Sequence, residues 1–212
     1  MKFVYGCLVN DRQILENNLL LPGRINAQLF IEENVERASI GLNKLSKRML
    51  ETGADVLIFM HQDCILPPNW EANCQKKLEE LKDWSLAGVW GIDDTDTFVG
   101  HVWDIRIWPY MMKSDNLPRP ARCLDEICLI MKANACVKFD TNMTGFDLYG
   151  SYACLETVKN GGKAWIIEVP MMHNTRRQFR FEVSEEFKTN YEYLEKKFYP
   201  LEVRSTVYEK VE

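Results

Sequence analysis

Apolar and polar positions follow two different periods along this chain, and each change of period marks an element. Lys2 to Val9 is nearly all apolar and stops at Asn10-Asp11, which predicts a buried first strand. Residues 12 to 35 carry mixed signals, with Pro22-Gly23 at a turn, and read as loop and short helix. From Glu36 to Leu50 the spacing becomes helical: Ala38, Leu42, Leu45 and Met49 fall on one face, and Gly53 stands where a C-cap is wanted. Val56 to Met60 is unbroken apolar and predicts a fully buried strand. Asn69 to Leu81 returns to helical spacing through Trp70, Cys74, Leu78 and Leu81, with Pro67-Pro68 just before its start.

Trp84 to Ile92 reads as a buried strand, Asp93 to Asp96 as a turn, and Phe98 to Trp108 as an antiparallel edge hairpin. After a Pro-containing loop at Ser114 to Pro120, Arg122 to Met131 reads as a strand with Asp125-Glu126 inside it. Carboxylates there are costly unless paired or used. Phe146 to Lys159 is a helix, Ala164 to Val169 a strand, and Ser184 to Phe198 an amphipathic helix. Strands alternating with helices predict an α/β fold: a mostly parallel, Rossmann-like central sheet with helices on both faces and a small antiparallel part. With no repeat and no linker, the expectation is a single domain over residues 1–212. Its core would be 1–175, and 176–212 would form a C-terminal helix and tail.

Composition narrows the function classes. The chain has 212 residues, 46% apolar and 27% charged, and no apolar run approaches the ~18 residues of a membrane span. The N-terminus enters a strand pattern without the h-region of a signal peptide. Seven cysteines, an odd number without any Cys-X-X-Cys, read as reduced buried thiols and give a cytoplasmic expectation. The net charge of −5 argues against wholesale nucleic-acid binding, and nothing in it points to a nucleic-acid acceptor. The short basic run at Arg176-Arg177-Gln178-Phe179-Arg180 is a local exception. It reads either as a solvated face or, beginning with Arg176, as a contact for diphosphate.

The candidate chemistry gathers where the strand Val56 to Met60 ends in His61-Gln62-Asp63. Ligands of open α/β sheets bind beyond such strand ends, and a carboxylate there suits a divalent cation carrying phosphate oxygens. A turn cap is the plain alternative for Asp63. Asn10 and Asp11, at the end of the first strand, read as nucleotide-side groups or as a polar turn. Trp90 and Trp108 read as core or as stacking platforms.

An ordered series of motifs resembles nucleotide-sugar glycosyltransferases of the GT-A fold, in the branch with His-Gln-Asp in place of Asp-X-Asp. The series is Gly41-Leu42-Asn43, His61-Gln62-Asp63, Leu66-Pro67-Pro68-Asn69-Trp70, Leu124-Asp125-Glu126, Gly145-Phe146-Asp147-Leu148-Tyr149-Gly150 and Pro170 to His173-Asn174. It covers residues 38 to 175. The resemblance implies a metal-dependent, inverting transfer of a hexosyl group from a nucleoside diphosphate sugar, a UDP-sugar above all, to an acceptor hydroxyl on a glycan or another molecule. It implies Mn²⁺ or Mg²⁺ held by Asp63 and His173, with His61 as a further ligand or facing the ribose, and Gln62 on the nucleotide side. Asp147 is the implied base or else a helix cap, and Asp125 and Glu126, which face donor or acceptor, are the other candidates for the base. The chain departs from the family where Asp147 replaces a His and Tyr152 replaces an Asp. Two alternatives therefore stand beside transfer: a catalytically inactive sugar-nucleotide or glycan-binding domain, and a nucleotidyltransferase.

Overall fold

The computed structural model describes residues 1–104, 111–174 and 183–207. β1 (Phe3–Val9) leads into the short helix α1 (Arg12–Asn17), followed by β2 (Gln28–Glu33) and α2 (Ala38–Leu50). β3 (Val56–Met60), β4 (Cys64–Ile65) and α3 (Trp70–Glu80) come next, then β5 (Leu86–Gly88), β6 (Trp90–Asp93), β7 (Phe98–Asp104) and β8 (Met111–Lys113). The chain continues through β9 (Arg119–Leu124), β10 (Cys128–Lys132), a 3-10 turn at Ala133–Ala135, α4 (Tyr149–Lys159), β11 (Ala164–Ile166), β12 (Met171–His173) and α5 (Glu185–Phe198).

One continuous sheet runs in the order β2-β1-β3-β10-β5-β11-β9-β6-β7-β12-β4, with β8 pairing β7 off this path. Only β1 with β2, β1 with β3, β5 with β11 and β7 with β12 are parallel; the other described pairings are antiparallel. The expected mostly parallel, Rossmann-like GT-A sheet is therefore not what forms. The sheet is mostly antiparallel and curls strongly into a half-barrel. The physical reason lies in β10, which inserts between β3 and β5 and runs against both. Its apolar run has the same composition whichever way it points, so strand direction is silent in the local pattern.

The period-2 alternation sorts the strands into two cores. Val4, Leu57, Phe59, Leu129 and Met131 pack with Leu42, Leu45 and Met49 of α2, with α4, and with Phe187, Leu194 and Phe198 of α5. Tyr5, Cys7, Val56, Ile58, Met60, Cys128 and Ile130 pack with Leu15 of α1 and Trp70, Cys74 and Leu78 of α3. Complete burial of all five β3 residues follows from having both cores at its faces.

Several predicted elements are redrawn. Trp84 to Ile92 is two strands, β5 and β6, with different neighbours. Arg122 to Met131 is also two, β9 and β10, and Asp125-Glu126 lie in the turn between them rather than inside a strand. The break takes both carboxylates out of the strand ladder, though Glu126 stays desolvated in the turn. β2 and β12 were not anticipated. β2 is a half-exposed edge strand without clean alternation, and β12 has only three residues. Trp108 and the basic run 176–180, Arg176 included, lie outside the described residues.

Candidate metal and nucleotide site

The end of β3 is joined to the end of β12 through β4. β4 pairs antiparallel with β12, setting Cys64 opposite His173, and the N–H of Asn174 donates to the Asp63 carbonyl at 2.8 Å. β12 runs parallel to β7, and their register sets His173 beside Asp104. These two pairings bring His61, Asp63 and His173 together, with one ligand atom from each lying within 4.8 Å of the others. His173 Nε2 is 3.3 Å from Asp63 Oδ1, and His61 Nδ1 is 3.9 Å from the same oxygen. His61 is the most exposed of the three side chains, at 36% against 17% for Asp63 and 7% for His173. The cluster is reached from the His61 side.

Adjacent ligands on a six-coordinate cation with bonds of about 2.1–2.2 Å lie about 3 Å apart. The His173–Asp63 spacing is close to this, and the longer His61–Asp63 spacing would have to close. One hard carboxylate and two imidazoles are a donor set that a divalent cation accepts. This cluster could coordinate one such as Mn²⁺ or Mg²⁺.

Electrostatics tie the three residues. Burial opposes the charge on Asp63, but the hydrogen bond and charge of His173, and then the charge of His61, hold its carboxyl at about 2. Burial likewise opposes a charged His173, yet Asp104 and Asp63 on its two nitrogens push it up to about 9. His173 Nδ1 lies 3.0 Å from the buried Asp104 carboxylate, which accepts its proton and aims Nε2 at Asp63. Asp104 was missed in the sequence. The available signal was an acid closing a mostly apolar strand, which must find a partner when buried.

On the other side, His61 Nε2 meets the Tyr149 hydroxyl at 2.9 Å, and that hydroxyl donates to the Glu126 carbonyl at 3.2 Å. Tyr149, the first residue of α4, sits in a quoted motif that carried no role for it. Its place depends on Gly150, where a Cβ would stand 2.1 Å from the Leu124 carbonyl oxygen; only glycine lets the helix start so close to β9. The Gly150 N–H donates to the Glu126 carboxylate at 3.2 Å. That helix end favours an anion. Burial and the neighbouring Asp125 outweigh it, and Glu126 is held well above the usual carboxylate range.

The remaining predicted residues are placed as follows. Gln62 Oε1 accepts from the N–H groups of Asn10 and Asp11 at 3.0 and 3.1 Å, and its amide nitrogen donates to Asn10 Oδ1. These three join the ends of β1 and β3. Asp11 also caps α1, accepting from Gln13 and Ile14. Asp125 accepts from its own turn at Ile127 and from the Thr206 hydroxyl at 2.7 Å. Asp147 accepts from Ser184, the cap of α5, at 3.3 Å, and Leu148 rather than Asp147 occupies the N-cap position of α4. Tyr152 is a core residue bonded to the Lys138 carbonyl, and Trp90 stacks on Phe98. A cavity of about 470 Å³ near Lys2, Asn26, Glu71 and Gln75 opens at the other end of β1 and includes none of the cluster residues.

No protein-family model matches this chain, and no curated protein matches it. Solved structures do. A197 from STIV is similar at a TM-score of 0.51 and 9% identity, over 87% of this chain and 100% of that one. GalNAc-T7, solved with UDP, GalNAc and Mn²⁺, is similar at a TM-score of 0.63 and 11% identity, over 92% of this chain and 48% of that one. The inositol-1-phosphate CTP transferase from T. maritima aligns at a TM-score of only 0.44 and 10% identity, over 87% of this chain and 76% of that one. What these similarities establish is a weak structural match to a glycosyltransferase, alongside a His/Asp/His cluster able to take a metal.

Proposed function

We propose that this chain binds a nucleotide-linked sugar, with a divalent cation seated on His61, Asp63 and His173 neutralising its diphosphate. The observation that carries the reading is the convergence of those three side chains at the end of β3. Gln62, Asn10 and Asp11 are the proposed nucleotide-side groups, at the adjoining end of β1. The fold likeness to a protein solved with UDP and Mn²⁺ makes UDP and a UDP-sugar the first ligands to try.

Binding is better supported than any particular transfer. Asp147, the expected base, is engaged with Ser184, and Asp125 with Thr206 and Ile127. Glu126 is the better candidate for moving a proton, because a carboxyl held above its ordinary range can both give and take one near neutrality. Glycosyl transfer and nucleotidyl transfer both place a cation on phosphate oxygens, so product analysis must separate them. The unpaired cysteines, all buried except the partly buried Cys136, suit a reducing compartment such as the cytoplasm. Among the described residues, no helix is long and apolar enough to cross a membrane.

Isothermal titration with UDP, UDP-sugars and CTP, in Mn²⁺ or in EDTA, tests the reading. The expected result is binding of at least one nucleotide that vanishes in EDTA and in Asp63→Ala. Equal affinity in both conditions for every nucleotide would sink it.

A further inference from the structure

Two histidines enter the cation cluster, and each has its second nitrogen bonded to an oxygen from another part of the chain. For His173 that oxygen belongs to a carboxylate, which can only accept, so Nδ1 carries the proton and Nε2 faces Asp63. For His61 the partner is a phenol, which can give or accept, and its direction has to be worked out. A hydroxyl has one hydrogen. The Glu126 carbonyl, 3.2 Å from Tyr149 Oη, cannot donate, so both contacts are hydrogen bonds only if Tyr149 gives its hydrogen to Glu126. The hydroxyl lone pair then accepts from His61 Nε2–H at 2.9 Å. In the reverse arrangement Tyr149 gives its hydrogen to His61 and the carbonyl contact ceases to be a bond.

Tyr149 is also held rigidly enough to impose this choice. It is 6% exposed and its ring packs edge-on against Phe139, with centroids 6.3 Å apart. The close approach of Gly150 to Leu124 fixes the start of α4, and the Gly150 N–H is bonded to the same residue, Glu126, whose carbonyl takes the phenol proton.

We propose that Tyr149 is a positioning residue for the cation: it fixes His61 as the Nε2–H tautomer and so turns the Nδ1 lone pair toward Asp63. The cation is then held by His61 Nδ1, Asp63 and His173 Nε2, and the two imidazoles present different nitrogens because their second partners differ. The Tyr149–Glu126 link also couples the cluster to the turn that carries Asp125 and Glu126, at the start of β10 beside His61. This inference rests on the reading of His61, Asp63 and His173 as a cation site.

The experiment uses the whole chain, wild type and Tyr149→Phe, with Co²⁺ as the probe. Long-range ¹H–¹⁵N spectra of the metal-free proteins, recorded above the raised His173 value of about 9 so that both imidazoles are neutral, read the tautomer of each histidine directly. The expected wild-type result is Nε2–H at His61 and Nδ1–H at His173. In Tyr149→Phe only His61 should change, to a mixture of tautomers, and Co²⁺ affinity from visible absorption should fall ~10–100-fold, the usual loss when the group orienting a ligand is removed. Nδ1–H at His61 in the wild type overturns the proposal, as does a variant with unchanged tautomer and unchanged Co²⁺ affinity. If the His61 tautomer depends on Tyr149 while Co²⁺ perturbs no cluster resonance, the cation reading falls and the tautomer assignment stands.

Discussion

At the scale of single residues, the proposed cation site sets a proton against a cation at His173. Its folded pKa of about 9 lies above the ordinary 6.5. The protonated form therefore contributes stability that is fully present below pH 6.5 and is lost as pH rises through about 9. A cation needs the same nitrogen unprotonated. Without metal, thermal stability should decline across this window, and the stabilisation conferred by Mn²⁺ should grow across it; differential scanning fluorimetry with Mn²⁺ or EDTA at stepped pH would record this. A Mn²⁺ effect that is flat with pH would remove His173 from the ligand set. Asp104→Asn keeps the size of the group but loses its charge. It should weaken Mn²⁺ binding by ~10–100-fold by titration calorimetry while leaving the fold in place.

At the scale of elements, two junctions fix the geometry. The first is the start of α4 against β9. Gly150→Ala would drive a methyl into the Leu124 carbonyl at 2.1 Å, so the helix must shift, carrying Tyr149 and the N–H that holds Glu126. A loss of roughly 1–3 kcal/mol in denaturant unfolding is expected, within the range for overpacking, together with weakened cation binding. Full stability with unchanged binding would show that α4 can start elsewhere at no cost. The second is the β6–β7 hairpin, where Asp93 accepts from Arg119 at 2.8 Å and from the N–H groups of Thr95 and Thr97. Burial opposes the Asp93 charge, but those partners outweigh it and hold the carboxyl at about 2, below its ordinary 3.8. Its contribution, about 2 kcal/mol, is present above pH 3.8 and is lost as pH falls through about 2. Asp93→Asn should therefore be destabilised by about 2 kcal/mol at neutral pH and should converge with the wild type in acid unfolding curves.

At the scale of the whole molecule, a ligand that bridges elements from β1 to β12 should raise global stability by mass action. Mn²⁺ with UDP at about 100 times its dissociation constant would add about 2.7 kcal/mol, or roughly 5–10 °C in Tm for a chain of this size. Asp63→Ala should abolish the shift produced by Mn²⁺ and UDP, measured against the variant's own Tm in EDTA, which the lost contact with His173 lowers by itself. An equal shift in the variant would place the nucleotide elsewhere.

The sequence by itself determined what is local. β3 could be read from an unbroken apolar run because complete burial leaves no polar position, and it forms over Val56 to Met60 as expected. Helices α2, α3 and α5 could be read from 3.6-residue periodicity. The Asp63 carboxylate at the strand end was visible as a group suited to a cation, whereas His173 was singled out only by the resemblance to GT-A glycosyltransferases. What only the tertiary structure decided is long in sequence separation. The antiparallel insertion of β10 turned an expected parallel sheet into a curled half-barrel, because an apolar strand carries no mark of its direction. His61 found Tyr149 across 88 residues, and His173 found Asp104 across 69. Those pairings depend on strand order and register, which are set by the summed burial of both cores rather than by any local motif. Periodicity reports which face of an element is covered; only the packed sheet settles which side chains meet at its edge.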